Sequence, residues 1–301
     1  MERLRGRPAG RPSAPSVDPF DDDLQLALYC CYEPHYSDLP ETVRDVEWDT
    51  DLLAGRRVLE TTFEAGLRDI VGAVPAGGPP SQQISAMIAT DAGPSLSDHM
   101  ERHGTSDEMR SLVVHRSPYQ LKEADGHTFG IPRLSGRAKQ LLAIIQAGEY
   151  GADDHGRVAH ARLFARTMRE LALDDRPHAY LDALPGSALA ISNVISLFGL
   201  NRRWRGALVG HLAVVEMTSV VPMGRYSRAL ERMGASVDAR RFFDVHVLAD
   251  AEHELLALDL VDTFVASEPE RASDVLFGAA CAIVAEQRFA SRLQEEWHRA
   301  A

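Results

Sequence analysis

Apolar residues recur every three or four positions along most of the chain, in runs separated by short Gly- or Pro-containing segments. This period is typical of helices that bury one face, and no run shows the convincing apolar/polar alternation that predicts a strand. The sequence therefore predicts an all-α fold whose helices are joined by short loops. The predicted helical segments are 21–39, 49–72, 81–93, 95–104, 106–126, 137–151, 158–173, 179–200, 203–221, 223–234, 242–260 and 272–300.

The start of the chain differs from the rest in composition. Residues 1–20 are rich in Arg, Pro, Gly and Ser and lack the apolar middle of a secretory signal, which predicts a disordered tail. A Pro- and Gly-rich segment near residue 75 interrupts the helical pattern. We therefore expect an N-terminal helical addition at residues 21–80 and a main helical domain at residues 81–301.

Charge and cysteine content exclude several classes of protein. The formal net charge of −12 argues against a protein that binds the nucleic-acid backbone. No apolar run reaches the roughly 18–20 residues of a membrane span, so no membrane partner is predicted. The three cysteines, of which Cys30 and Cys31 are adjacent, form no disulfide framework. A reducing, cytoplasmic setting is therefore expected.

One predicted helix, segment 242–260, carries histidines and carboxylates in an otherwise apolar run. At about 100° per residue, His246, Asp250 and His253 fall within an arc of roughly 60° on one helix face. The neighbouring Glu252 points away from that face. Such a row is either the solvated face of a half-exposed helix or part of a metal site.

A second carboxylate, Glu216, lies in the apolar segment 203–221. It is costly to bury there unless it is paired, hydrogen-bonded or bound to a cation. Gly206 and Gly210 in the same segment would let a neighbouring helix approach closely. Glu216 is therefore either a metal ligand or the salt-bridge partner of an arginine, such as one in segment 202–205.

Glu149 ends one apolar helical run, and His160 lies in the next run, eleven residues later. On one continuous helix their Cα atoms would stand about 16 Å apart, too far for a single metal ion. The glycines and aspartates of segment 151–156 favour a break in the helix, which would bring the two side chains together. His155, within that break, is a competing ligand.

Together these candidates provide three carboxylates and three imidazoles, a set that suits two first-row metal ions better than one. Imidazole and carboxylate ligands without thiolate favour iron or manganese over structural zinc. The candidate metal ligands are Glu149, His160, Glu216, His246, Asp250 and His253.

The segments that carry these residues are GEYG, HARLF, VVEMTS and FFDVHVLADAEHE. Together they resemble the haem-oxygenase-like diiron oxidases and oxygenases, which are also described as iron-containing redox enzymes. The resemblance covers most of the chain, including DDDLQLALY, HRSPYQLKEADGHTFGIPRLSGRAKQ and SLFGLNRRWRGALVGHL. The combination is specific, whereas no single segment would be. One departure is YGADDHG after Glu149, where members often carry a longer glycine run.

The resemblance implies a haem-oxygenase-like seven-helix bundle in which the six candidates bind two Fe(II) ions of a non-haem diiron centre. Members of the family use O2 for N-oxygenation of amines, oxidative C–C cleavage of amino acids or decarboxylation of fatty acids. The expected function is an O2-dependent oxidase or oxygenase that acts on a small amine- or carboxylate-bearing, amino-acid-derived metabolite through a peroxo-diferric intermediate. A role in natural product biosynthesis, a homodimer and an external electron donor are compatible with this expectation.

Substrate contacts are expected from a charged stretch between residues 115 and 133, where a cationic side chain could clamp a substrate carboxylate. The alternative is a solvated loop with internal ion pairs. The candidate substrate-binding residues are His115, Arg116, Tyr119, Lys122, His127 and Arg133.

Three other functions fit parts of this pattern. A metal-free, thiaminase-like hydrolase on the same fold would need an activated cysteine, but Cys281 lies in an apolar run and Cys30 and Cys31 lie in the N-terminal addition. A haem oxygenase would need a proximal histidine and an open apolar slot, but not the buried carboxylates. A non-catalytic iron-binding or partner-binding helical protein could carry the same ligands.

Overall fold

The computed structural model describes residues 18–37, 46–74, 77–152 and 158–300, and every regular element within them is helical. The predicted all-α fold is therefore confirmed. The twelve α-helices of these described residues are α1 (Asp22–Tyr32), α2 (Thr50–Val71), α3 (Pro80–Ala89), α4 (Leu96–Arg102), α5 (Ser106–Gln120), α6 (Asp125–Thr128), α7 (Gly136–Glu149), α8 (His160–Glu170), α9 (Gly186–Leu200), α10 (Arg205–Arg232), α11 (Val237–Ser267) and α12 (Ala272–Ala300).

The first two helices begin at acidic caps. The Asp21 side chain accepts a hydrogen bond from the backbone N–H of Leu24 at 3.0 Å, and Asp49 accepts one from Leu52 at 2.8 Å. These bonds satisfy N–H groups that a helix start otherwise leaves without a partner. Gly72, with φ of 65°, ends α2. These helix boundaries lie close to those that the sequence predicts.

Two prolines mark places where the observed helices differ from the predicted segments. The pattern divides the chain at Pro222, whereas α10 continues through it. Proline removes one backbone hydrogen bond, but α10 packs against α4, α11 and α12, and these contacts support the helix on both sides. In contrast, α9 begins only after Pro185, although the predicted segment starts at residue 179.

The three long helices α10, α11 and α12 form the centre of the bundle, and α10 packs against both others. Two glycines permit the contact between α10 and α12. A Cβ atom on Gly210 would stand 1.8 Å from the carbonyl oxygen of Val275, and one on Gly278 would stand 1.9 Å from that of Ala207. The expectation that Gly210 lets a helix approach closely is confirmed. Helices α7 and α8 cover α11, and α9 packs against α12 and α1.

Two apolar cores flank these helices; one includes α1, α5, α8 and α9, and the other joins α7 to α10, α11 and α12. Leu28 of α1 and Phe63 of α2 share the first core with Leu189 of α9, so the N-terminal helices continue the core of the main bundle. Residues 1–17 of the predicted tail lie outside the described residues, and Phe20 is buried. The domain boundaries at residues 20 and 80 stay predictions.

One described stretch, from Arg202 to Arg232, is long and apolar enough to cross a membrane by length and composition alone. In the bundle, 56% of the most apolar part of this stretch is buried inside the protein. The core helix of a globular protein has the same property, so this stretch is weak evidence for a membrane span.

Candidate metal centre

Four carboxylates and three imidazoles, all buried, meet where α7, α8, α10, α11 and the turn after α5 converge. They form two groups, and within each group one N or O atom per residue lies within 4.8 Å of the others. Cluster 1 consists of Glu123, Glu149, His160 and His246. Cluster 2 consists of Glu149, Glu216, Asp250 and His253.

The interruption between α7 and α8 supplies two members of cluster 1. Glu149 is the last residue of α7 and His160 is the first residue of α8. Nδ1 of His160 lies 2.8 Å from Oε2 of Glu149, so the break joins two residues that one continuous helix would hold about 16 Å apart. The competing candidate His155 falls in segment 153–157, outside the described residues.

One face of α11 supplies three further members. His246, Asp250 and His253 are 3%, 2% and 6% exposed, whereas Glu252 is exposed. The offsets of four and three residues therefore place all three on the inner face, as their spacing predicts. His246 belongs to cluster 1 and the other two to cluster 2, so this helix connects the clusters.

The Glu149 carboxylate lies between the two clusters. Its Oε2 faces His160, while its Oε1 lies 3.2 Å from Nδ1 of His253. The same nitrogen lies 3.4 Å from Oε2 of Glu216 and 3.7 Å from Oδ1 of Asp250. Because each oxygen of Glu149 faces a different cluster, this side chain is arranged as a carboxylate that could bridge two metal ions.

The inward-facing histidine nitrogens lie near carboxylate oxygens but make no well-aligned hydrogen bond to them. These buried atoms are Nδ1 of His160, Nε2 of His246 and Nδ1 of His253. In His246 the other nitrogen, Nδ1, donates to the carbonyl oxygen of Phe242 at 2.8 Å, which leaves Nε2 facing Glu123 at 3.4 Å. Buried polar atoms are normally paired, so these nitrogens fit a metal ion better than a closed hydrogen-bond network. Nitrogen and oxygen donors without sulfur suit iron.

The clustered groups shift one another's pKa values. Burial would raise the pKa of Glu149, but contacts with His160 and His253 outweigh burial and hold this pKa well below its usual value. Burial raises the pKa of Glu216 to about 8. Burial acts to lower the pKa values of His246 and His253, but facing carboxylates raise both to about 10. Protons on the His246 and His253 imidazoles therefore offset the negative charge of the carboxylates. Bound cations would replace these protons.

All six predicted ligands lie in the two clusters, and their role as ligands stays a prediction. The seventh member, Glu123, lies in the charged stretch between residues 115 and 133 and is not among the predicted ligands. It follows the end of α5, so no helical period relates it to another candidate. When the side-chain amide of Gln120 is oriented with its nitrogen toward Glu123, that nitrogen donates a hydrogen bond to the Glu123 carboxylate at 2.6 Å.

The salt-bridge alternative for Glu216 is not seen among the described residues. Arg203 pairs with Glu64 at 2.7 Å, and Arg205 pairs with Glu268. The carboxylate of Glu216 instead faces the imidazole of cluster 2. Arg203 and Arg205 therefore bind other helices and do not reach the clusters.

A cavity of about 400 Å³ opens against both clusters, within the size range of small-molecule sites. Five clustered side chains contribute to its wall, namely Glu123, Glu149, Glu216, His246 and Asp250. Much of the remaining wall is apolar and comes from α5, α9, α10 and α12. The clusters therefore contact a space that could hold a small molecule.

Three of the six predicted substrate-binding side chains line the cavity, namely Arg116, Tyr119 and His127. The other three have contacts elsewhere. His115 lies 3.1 Å from Glu296, and Lys122 pairs with the buried Glu33. Arg133 donates at 2.7 and 3.0 Å to two carbonyl oxygens at the end of α9. These contacts join one helical segment to another, so the three side chains have a structural role in the bundle.

An ion pair forms part of the cavity wall. Both terminal nitrogens of Arg116 donate to the carboxylate of Glu286, at 2.7 and 2.6 Å, and the guanidinium lies 4.1 Å from the ring centroid of Phe289. Among the described residues that line the cavity, Arg116 is the one Lys or Arg. It is therefore the fixed positive charge available to a molecule in this space.

Two neutral histidines form a second polar feature of the wall. Nε2 of His127 lies 3.1 Å from Nδ1 of His211. Burial lowers the pKa of His211 to about 3 and holds the pKa of His127 well below its usual value. Near pH 7 one neutral ring therefore donates to the other. Gln146, which also lines the cavity, accepts a hydrogen bond from Thr128 at 2.9 Å.

The cysteines do not resemble nucleophiles. Burial raises the pKa values of the Cys30, Cys31 and Cys281 thiols, which disfavours the reactive thiolate. None of the three lines the cavity as described. The thiaminase-like alternative therefore has no activated cysteine among the residues that the structure describes.

Known structures resemble this bundle. Two crystal structures of a CADD-like protein of unknown function from Nostoc punctiforme, at 2.00 and 1.35 Å resolution, match with TM-scores of 0.58 and 0.54. Sequence identity is 16% and 15%; each match covers 72% of this chain, and 96% and 94% of the respective known chains. At this identity the likeness shows the fold alone. The chain matches no curated protein by sequence similarity.

A family match identifies the general chemistry. Residues 110–287, more than half of the chain, match the family described as iron-containing redox enzymes. This range contains all seven members of the two clusters. The description confirms the predicted resemblance and indicates an oxidoreductase that uses iron. The chain belongs to the iron-containing redox enzyme family.

Proposed function

We propose that this protein is an O2-dependent non-haem diiron oxidase or oxygenase that acts on a small amine- or carboxylate-bearing metabolite. The observation that carries the proposal is the Glu149 carboxylate, whose two oxygens face separate buried clusters. Cluster 1 and cluster 2 would each hold one iron ion. When bound, iron would supply the redox chemistry, in which reduction of O2 is coupled to oxidation of the substrate.

The cavity beside the clusters would hold the substrate and exclude water. Its apolar wall favours a molecule with an apolar body, and its clustered carboxylates and imidazole lie on one part of the same wall. A substrate in this space would therefore present its reacting atom to the iron-binding side chains. Exclusion of water also protects reactive species from side reactions.

Arg116 and Glu286 support an amine- or carboxylate-bearing substrate. The guanidinium has five N–H donors, so donors remain for a substrate carboxylate after both contacts to Glu286 are made. The Glu286 carboxylate can accept hydrogen bonds from a substrate ammonium group. The Arg116–Glu286 pair would therefore hold the charged end of the substrate. Recognition of that end needs no other charged residue of the cavity wall.

Oxygen uptake by the iron-loaded protein tests this function. The protein would be loaded with Fe(II) without oxygen, and an oxygen electrode would then record O2 consumption with amines, amino acids and fatty acids. We expect one compound class to stimulate O2 uptake, and Arg116→Gln to raise KM for a carboxylate substrate. The exposed Arg137 provides the control variant Arg137→Gln. Iron binding without substrate-stimulated O2 uptake across these classes would instead favour a non-catalytic iron-binding protein.

A further inference from the structure

We infer that Gly148 is a positioning residue for cluster 2, because its missing side chain leaves the space that the His253 ring occupies. The inference rests on the proposal that the clusters bind iron. Gly148 belongs to α7 and directly precedes Glu149. It contributes no donor atom to either cluster, and its proposed role depends on the position of its backbone.

The distances at Gly148 leave no room for a methyl group. A Cβ atom there would stand 2.6 Å from Nε2 and 2.9 Å from Cε1 of His253. Non-bonded heavy atoms prefer separations of about 3.5–4.0 Å, so the ring or the helix would have to move. The backbone does not otherwise require glycine, because Gly148 is not among the residues with positive φ. Close approach of the imidazole is therefore the reason for glycine at this position.

The opposite edge of the same ring faces cluster 2. Nδ1 of His253 lies 3.2 Å from Glu149, 3.4 Å from Glu216 and 3.7 Å from Asp250. The imidazole thus lies between the α7 backbone and three carboxylates. A methyl group at residue 148 would push the ring toward these carboxylates or rotate Nδ1 away from them, and either movement disturbs the geometry that a metal ion requires.

The effect is expected to be selective for one cluster. All three atoms nearest to a Cβ on Gly148 belong to His253, and none belongs to His160 or His246. Cluster 1 therefore keeps both of its histidines in place. A substitution at Gly148, which is not a candidate ligand, should therefore weaken iron binding at cluster 2 and leave iron binding at cluster 1 unchanged.

Anaerobic titration of Gly148→Ala with Fe(II) tests the inference. We expect the iron equivalent of cluster 2 to lose affinity by about 10–100-fold, the range for changes that disturb ligand orientation, while the other equivalent is retained. The control is Gly55→Ala in α2, where a Cβ would meet nothing within 4 Å. Alanine favours helix more than glycine in both variants, and circular dichroism of the metal-free proteins checks that both are folded.

A double-mutant cycle separates positioning of His253 from a general disturbance. In a His253→Ala background, Gly148→Ala should cause no further change in iron binding, because the ring that it displaces is absent. An equal loss in both backgrounds would overturn the inference. So would unchanged binding of two iron ions by Gly148→Ala. Failure of the wild-type protein to bind iron would overturn the iron proposal itself, and this inference with it.

Discussion

His246 shows how neighbouring groups orient one side chain of the candidate metal centre. Its Nδ1 donates to the carbonyl oxygen of Phe242, one turn earlier in α11, and the two rings lie 4.3 Å apart. These contacts fix the orientation of the ring. Nε2 therefore points into cluster 1, where bound iron would replace its proton.

The Asp250→Asn substitution tests the assignment of cluster 2. It replaces a charged oxygen donor with a neutral amide of the same shape, so one of the two expected iron equivalents should be lost while helical content stays nearly unchanged. The matched control is Glu252→Gln, two residues along α11 and exposed. Anaerobic iron titration with circular dichroism gives both readouts. Full iron binding by Asp250→Asn would mean that this carboxylate is not a ligand.

Protons and iron should compete for the centre. Facing carboxylates raise the pKa values of His246 and His253 from 6.5 to about 10, so both imidazoles are protonated in the metal-free protein at neutral pH. Iron must displace these protons, and each proton released changes the affinity by about tenfold per pH unit. Iron affinity should therefore fall as pH is lowered from about 8.5 to 6.5. An affinity independent of pH would contradict this charge state.

Sequence spacing could locate some of the candidate ligands but not others. His246, Asp250 and His253 share one helix, whose geometry fixes their common face. Glu123 lies in a turn that follows Gln120, the last residue of α5, where no repeating geometry applies. Its position beside His246 depends on how the helices pack, and this packing is not encoded in any local spacing.

Helix α1 supports the turn that carries Glu123. Glu33, directly after α1, is buried and pairs with Lys122 and with His178, the latter at 2.9 Å. The Lys122 ammonium also lies 4.4 Å from the ring centroid of Tyr29. Because Lys122 immediately precedes Glu123, these contacts connect the N-terminal helices to cluster 1.

The Glu33→Ala substitution should therefore destabilise the whole fold. It would leave the Lys122 ammonium buried without its carboxylate partner, a change that costs about 3–5 kcal/mol. Urea denaturation followed by circular dichroism measures the free energy of unfolding. The exposed carboxylate of Asp69 in α2 provides the control Asp69→Ala. A loss below about 0.5 kcal/mol, typical of surface substitutions, would mean that α1 does not brace this turn.

Helix boundaries were predictable where local chemistry determines them. Asp21 and Asp49 cap their helices directly, and the Gly- and Asp-rich segment after Glu149 separates α7 from α8 as expected. Pro222 does not end α10, because neighbouring helices support the chain on both sides of it. Tertiary contacts therefore determined the element boundary that the local pattern missed.

At the scale of the whole molecule, the clusters lie where separate helices converge. Glu149, His160 and Glu216 come from α7, α8 and α10, and the remaining carboxylate of cluster 1 comes from the turn after α5. Residue spacing could indicate the polar positions on each helix, but not which helices would face one another. The resemblance to iron-containing redox enzymes supplied that arrangement, and the bundle brings the six predicted ligands together.

The measurement that tests the central claim most directly is an anaerobic Fe(II) titration of the wild-type protein beside Glu149→Gln. Because each oxygen of Glu149 faces one cluster, wild type should bind two iron ions per chain, and Glu149→Gln should weaken both sites together. Mössbauer spectra of the iron-loaded samples would report the number of distinct sites. A wild-type protein that binds no iron, or a Glu149→Gln variant that binds two ions with unchanged affinity, would contradict the shared two-metal centre.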